Sequence, residues 1–173
     1  YGLGSLHTAK QYLHYLQEAY LVRLLPLYTF KSKDRQAARK CYAVDPAFIS
    51  NHEDILQTPN LGWRLENVVA IELMRRMDSE TESLFYYRKP KDFEVDFVRV
   101  RMSKIEELVQ VTYDFREPST KQYNREIGGL IKGAQLTRCN NLTLVMMDGK
   151  PQTIEKEGYC IRCVRATDWL LQR

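Results

Sequence analysis

The sequence predicts an α/β domain with a mixed sheet, preceded by a short helix-and-hairpin segment. Two observations predict the sheet. From residue 61 onward, helical and strand-like patterns follow in the order helix, three strands, helix, strand, strand. The first three strands are joined by short turns, as in an antiparallel meander. A long helix then lets the next strand join in parallel. The third observation separates the leading segment. Residues 1–52 hold 7 Lys or Arg against 3 Asp or Glu, whereas residues 53–173 hold 19 of each.

Residues 5–24 read as an amphipathic helix, with Ser5 as N-cap and Pro26 as the stop. Leu6, Ala9, Leu13, Leu16, Tyr20 and Leu24 form its apolar stripe. Two short strands are expected at Leu27–Phe30 and Cys41–Val44, flanking a basic loop with Lys31, Lys33, Arg35, Arg39 and Lys40. Helix followed by basic hairpin is the second half of a winged-helix module, so these five residues are the candidate DNA contacts. The competing reading is a solvated loop beside a packing helix. An isolated half-module would leave part of its apolar stripe uncovered.

Residues 50–60 are polar, contain Pro59 and read as a linker, so residues 53–173 form the second unit. Leu61–Met77 is a helix capped by Asn60. Strands follow at Ser83–Arg88, Phe93–Arg101 and Glu107–Tyr113. Pro118 and Ser119 open a helix running to Arg138. Strands at Leu142–Met147 and Tyr159–Val164 and a helical turn at Thr167–Leu171 complete the unit. Gly128, Gly129 and Gly133 weaken the second helix, which predicts its close packing on the sheet.

The 173 residues carry a net charge of +4, with 44% hydrophobic and 28% charged residues, the composition of a soluble globular chain. No apolar run reaches the roughly 20 residues of a membrane span, and no signal peptide is visible, so a cytoplasmic location is expected. The first residue, Tyr1, suggests a piece of a longer chain. Cys160 and Cys163 lie three apart in a strand-like run and point to opposite faces, a poor start for zinc. With Cys41 and Cys139 they are expected to be buried free thiols. His7 and His14 share one helix face, and His52 lies in the linker; solvent exposure is expected for them rather than a metal site.

The runs Glu94-Val95-Asp96-Phe97 and Leu108-Val109-Gln110-Val111-Thr112 carry the chemistry. A metal-dependent nuclease presents an Asp on one strand and Glu-x-Lys on the next, because hard carboxylate oxygens hold Mg²⁺ and a lysine polarises water. Asp96 is present, but Gln110 and Thr112 stand where Glu and Lys are needed. Glu94 and Asp96 share one strand face, as do Gln110 and Thr112. The first helix of this unit can add Glu66 or Glu72, and Lys121 or Lys132 could replace the missing lysine. Asp96, Glu66, Gln110 and Thr112 are therefore the candidate catalytic residues, and Asp96 and Glu66 a weak Mg²⁺ pair. The alternative is a hydrogen-bonded polar cluster of Glu66, Asp96 and Gln110 with no metal. Arg125-Glu126 is expected to anchor the second helix by ion pairing, or else to line the site.

This element order, with an Asp on the second strand, resembles the restriction-endonuclease-like core. Nearly the whole chain resembles the C-terminal domain of unknown function of prokaryotic AAA-family ATPases. The resemblance rests on Ser5-x-x-Thr8-x-x-x-Tyr12-x-x-x-Leu16, Tyr42-Ala-Val-Asp45-Pro46, Glu66-Asn67-x-Val69-x-x-Glu72-Leu73 and Tyr86-Tyr87-Arg88. It rests also on Glu94-Val95-Asp96-Phe97, Gln110-Val111-x-Tyr113-Asp114, Arg125-Glu126 and Trp169-Leu170-Leu171. It implies an upstream P-loop ATPase domain as the partner in the same chain, followed by a winged-helix segment and this module. No Gly-x-x-x-x-Gly-Lys-Ser/Thr occurs in the sequence, so ATP would belong to that upstream domain. The function expected is a catalytically degenerate nuclease-like module that binds DNA or a protein partner. The alternatives are an active Mg²⁺-dependent DNA endonuclease and a structural, self-associating assembly domain.

Overall fold

The computed structural model describes residues 5–50 and 60–172. The Ser50–Asn60 linker and His52 therefore fall largely or wholly outside the described residues. Helix α1 spans Leu6–Glu18, and the Ser5 hydroxyl caps it by accepting from the Thr8 N–H. The helix stops earlier than the expected Leu24. Tyr20 adopts a left-handed conformation (φ 57°), and the Leu21 N–H returns to the Leu16 carbonyl, which closes the last turn. The apolar run beyond it forms strand β1, Val22–Pro26, so the strand lies upstream of the expected Leu27–Phe30. Leu25 is thereby driven into the core. Tyr12, Tyr15 and Leu16 of α1 stay exposed, as does Tyr20 just beyond it, so Leu16 and Tyr20 of the stripe are uncovered.

The basic loop contains a short helix, α2 (Ser32–Ala37), and then strand β2 (Arg39–Ala43), antiparallel to β1. Arg39 and Lys40 thus belong to a strand, not a loop. A single turn, α3 (Ala47–Ser50), follows. The hairpin joins the larger sheet at its edge: Leu27 bridges Tyr86, and the Tyr28 N–H donates to the Tyr86 carbonyl at 2.7 Å.

The second unit begins with helix α4 (Leu61–Arg76), capped by the Asn60 side chain on the Trp63 N–H. Strands β3 (Glu82–Lys89), β4 (Phe93–Arg101) and β5 (Lys104–Asp114) form the expected meander. Helix α5 (Thr120–Thr137), capped by Ser119, leads to β6 (Leu142–Asp148), which joins β5 in parallel. Strand β7 (Gln152–Lys156), absent from the sequence reading, forms a hairpin with β8 (Tyr159–Arg165), and helix α6 (Ala166–Leu171) ends the unit. The molecule is thus α/β, with a six-stranded mixed sheet ordered β3-β4-β5-β6-β8-β7. No helix among the described residues is long and apolar enough to cross a membrane.

Two apolar clusters cover the two sheet faces. Helix α5 packs Ile127, Leu130, Ile131 and Ala134 on Val95, Leu108 and Leu144. Helices α4 and α6 pack on Phe97, Val109 and Val145, together with Leu25 and Tyr42 of the hairpin. Two of the three glycines of α5 permit the close approach expected of them. A Cβ at Gly129 would lie 2.8 Å from the Glu94 carbonyl oxygen, and one at Gly133 would lie 2.8 Å from Val95 Cγ2.

The free cysteines divide differently from expectation: Cys139 and Cys163 are buried, whereas Cys41 and Cys160 are exposed. On β8 the alternation of faces places Cys160 outward and Cys163 inward. Burial pushes the Cys163 thiol up to about 11.

Candidate functional site

The candidate residues meet where β4 and β5 part. The pairing of these strands runs as far as Phe97↔Val109 and stops. The next backbone groups are satisfied by side chains. The Asp96 N–H donates to Gln110 Oε1 at 3.2 Å, and the Val111 N–H donates to Asp96 Oδ2 at 3.0 Å. Beside this point the β3–β4 register slips between Phe85↔Val98 and Tyr87↔Val95, so three steps of β4 face two of β3. Such a bulge re-aims side chains, and here Asp96 and Phe97 both turn toward the α4 side.

Lys40 occupies the centre of the site. Its Nζ lies 2.9 Å from Glu66 Oε1, 2.8 Å from Glu94 Oε1 and 3.2 Å from Asp96 Oδ1. The ammonium also lies 5.4 Å from the centre of the Tyr86 ring. Tyr42, on the same face of β2, donates its hydroxyl to Glu66 Oε1 at 2.6 Å. Burial opposes the charge on Lys40, but the Asp96, Glu66 and Glu94 carboxylates together outweigh it and hold the ammonium above its ordinary pKa. Burial, then the neighbouring Glu66, pushes the Asp96 carboxyl up to about 7, against the pull of Lys40 and the Val111 N–H. Burial, and then Glu66, also raises the Tyr42 phenol.

A second arm of the network reaches α5. Gln110 Nε2 donates to Glu126 Oε2 at 2.8 Å, and Arg125 Nε donates to Glu126 Oε1 at 2.9 Å. Glu126 is buried, and it lies three residues before Gly129 and seven before Gly133, the glycines that bring this helix face onto the sheet. Arg125 and Glu126 thus pair with each other and both line the cleft, and the bond from Gln110 to Glu126, not an ion pair, ties α5 to the sheet here. Thr112 accepts from Gln122 Nε2 at 3.2 Å, and the same amide group donates to the Asp114 carbonyl. Gln110 and Thr112 share the α5 face, as strand alternation predicts. An open cleft of about 510 Å³ runs across the group, bounded by Gly62 and Glu66 of α4 and by Gln122 and Glu126 of α5.

The structure separates the two helix glutamates. Glu66 faces the site, whereas Glu72 binds Arg75 and Arg76, which hold its carboxyl down at about 2, the Arg75 hydrogen bond being the largest cause. Arg76 in turn donates to the Trp169 and Leu170 carbonyls of α6, so Glu72 helps fasten the C-terminal helix. The expected substitute lysines are not in the site either. Lys132 pairs with Asp92, and Lys121 does not line the cleft.

The set of proposed DNA contacts changes accordingly. Lys40 points into the carboxylates and is withdrawn from any outward basic face. The Arg35 guanidinium donates to the Thr29 carbonyl at 2.6 Å and stacks over Phe85. Lys31, Lys33 and Arg39 remain exposed. His7 and His14 are exposed as well.

Sequence reasoning missed the role of Lys40. The signal for it was strand alternation: Lys40 and Tyr42 are two apart, so an inward Tyr42 carries Lys40 inward with it. As a metal centre, the carboxylates supply suitable hard oxygens. The Lys40 ammonium already stands among them, however, and would repel a divalent cation at the same point. Among the described residues, no group of three or more His, Cys, Asp or Glu side chains is arranged to hold a metal ion.

The chain is similar to the uncharacterized protein MJ1544 of Methanocaldococcus jannaschii, with 33% identity over 145 residues, 84% of this chain. It spans 31% of that relative's length. No family model matches the chain, and no solved structure matches it.

Proposed function

We propose that this chain is a catalytically degenerate nuclease-like module of restriction-endonuclease-like fold, which binds DNA without cleaving it. Lys40 supports this reading. A lysine ammonium stands among Glu66, Glu94 and Asp96, where its charge would repel a divalent cation. Gln110 spends its amide on the Asp96 N–H and the Glu126 carboxylate, a structural use rather than metal binding. The resemblance described above adds the context: a C-terminal module serving an upstream AAA-family ATPase domain, whose DNA binding would inform or regulate that domain. The test is direct. Purified protein should retard duplex DNA in a salt-sensitive manner and leave plasmid DNA intact in Mg²⁺ or Mn²⁺. Cutting that disappears in Asp96→Ala protein would sink it.

One observation favours a second reading, an active Mg²⁺-dependent endonuclease. Lys40, bonded to Glu66, Glu94 and Asp96 of the cleft wall, supplies the positive charge that Thr112 lacks. Asp96 and Glu66 would then hold the ion, which would activate water, while Lys40 would steady developing negative charge on the phosphate. The two readings oppose each other at Lys40→Met: the nuclease loses cutting, whereas the degenerate module has none to lose.

A further inference from the structure

A second cleft, of about 540 Å³, lies off the C-terminal ends of the adjacent parallel strands β5, β6 and β8. In open α/β sheets, this is where ligands are commonly held. Arg116, Lys150 and Arg165 line it, together with Gly149 and Thr167. We propose that this cleft grips the sugar–phosphate backbone of duplex DNA, using Lys150 and Arg165 as its principal cations, and leads the duplex past the carboxylate cleft. The proposal rests on the DNA-binding reading above and gives it a location away from the Lys31–Lys40 hairpin.

The charges decide which residues matter. Arg116 is bonded to Asp114, with Nη2 at 2.6 Å and Nε at 3.1 Å, and it faces Asp148, the single carboxylate of the lining. Lys150 and Arg165 have no ion pair among the described residues, and both are exposed. Among the described residues, the Arg165 side chain makes one hydrogen bond, from Nε to the Gly149 carbonyl at 3.3 Å. The Thr167 hydroxyl adds a neutral donor of the kind that commonly contacts phosphate oxygens.

The scaffold beneath is firmly set. The Phe115 N–H donates to the Asp148 carbonyl at 2.7 Å, tying the end of β5 to the end of β6. Gly149 sits so close to Met146 that a Cβ would lie 2.5 Å from its sulfur. The two clefts also adjoin: Asp114 lines the carboxylate cleft, and the Arg116 it binds lines the basic one. On the hairpin, by contrast, Lys40 and Arg35 are already engaged.

The experiment is titration of a fluorescein-labelled duplex with full-chain protein across a salt series. It compares wild type, Lys150→Gln/Arg165→Gln, Lys150→Ala alone, and Lys31→Gln/Lys33→Gln. Thermal melting establishes that each variant is folded; Lys150, exposed between β6 and β7, gives a usable variant even if Arg165→Gln is unstable. The cleft predicts roughly tenfold weaker binding for the double variant at low salt. It also predicts a log–log salt slope shallower by about 0.9 for each cation removed. Wild-type binding unchanged in the cleft variants, or lost only in the hairpin variant, overturns the cleft and leaves the DNA-binding reading standing. No wild-type binding even at low salt overturns both.

Discussion

The side-chain amide of Asn67 is hydrogen-bonded in both directions to the backbone of Ala43. The Ala43 N–H donates to Oδ1, and Nδ2 donates to the Ala43 carbonyl, each at 2.8 Å. Asn67 is fully buried on α4, and Ala43 ends β2. This pair fixes how the hairpin strand lies on the helix that carries Glu66. Because Lys40 and Tyr42 sit on the same strand, the pair also sets the position of the ammonium among the carboxylates. The neighbouring residues Glu66 and Asn67 therefore do two jobs: one receives Lys40 and Tyr42, and the other holds the strand that delivers them.

Asn67→Ala should accordingly cost about 2–4 kcal/mol, because it leaves two buried backbone groups of Ala43 without partners. Urea denaturation measures it. A loss below about 0.5 kcal/mol, the range of ordinary surface substitutions, would mean that the hairpin is held by its apolar contacts alone.

Neighbouring glycines of α5 should respond with opposite signs. At Gly128 nothing lies within 4 Å of an added Cβ, so Gly128→Ala should gain up to about 1 kcal/mol of helix propensity. At Gly129 the new Cβ would meet the Glu94 carbonyl oxygen at 2.8 Å, a backbone atom that cannot turn aside. Gly129→Ala should lose about 1–3 kcal/mol despite the same propensity gain. Thermal melts of the two variants side by side decide it, and equal effects would contradict the packing described.

What was legible in the sequence follows from how local each feature is. The α5 span could be read because its cap, apolar face and following turn are all nearby in sequence. Strand β4 could be read to the residue because its apolar residues nearly alternate with charged ones, the local signature of a strand. Strand β7 could not, because Gln152–Lys156 has one apolar residue, Ile154, and pairs only with β8. The end of α1 was hidden by Tyr20, whose left-handed backbone is not a conformation its residue type announces. The candidate site was half legible. Asp96, Gln110 and Glu66 do converge, since motif spacing on adjacent elements carries that information. Lys40 is 56 residues from Asp96, and its basic neighbours suggested a solvated loop. Only the packing of the hairpin on α4 brings it inward.

The raised Asp96 carboxyl predicts a specific pH dependence. An unfolded Asp loses its proton near pH 3.9, whereas Asp96 in the folded protein keeps it up to about 7. Between those values the folded state binds more protons than the unfolded one, so this group's contribution to stability is complete below about pH 4 and lost as pH rises through 7. The loss should amount to about 2–4 kcal/mol. Asp96→Asn cannot titrate, so its stability should fall less between pH 5 and pH 8 than that of the wild type. Parallel pH profiles for the two proteins would refute the assignment.

Lys40→Met exchanges an internal cation for an apolar side chain of similar length. Glu66, Glu94 and Asp96 would be left facing one another without the charge that now lies within 3.2 Å of each. In metal-free buffer the variant should therefore be less stable by about 2–4 kcal/mol, the scale set by breaking one side of a partly buried ion pair. The same three carboxylates should then accept what the ammonium excluded. At pH 8, Mn²⁺ at about ten times its Kd, displacing the proton that Asp96 holds more tightly once Lys40 is gone, should restore about 1.4 kcal/mol, a rise in Tm of about 3–6 °C. The wild type should show little change in Tm under the same conditions, because Lys40 already fills the place. If Mn²⁺ stabilises wild type and variant equally, Lys40 is not standing in for a cation, and the reading of a degenerate centre loses its principal support.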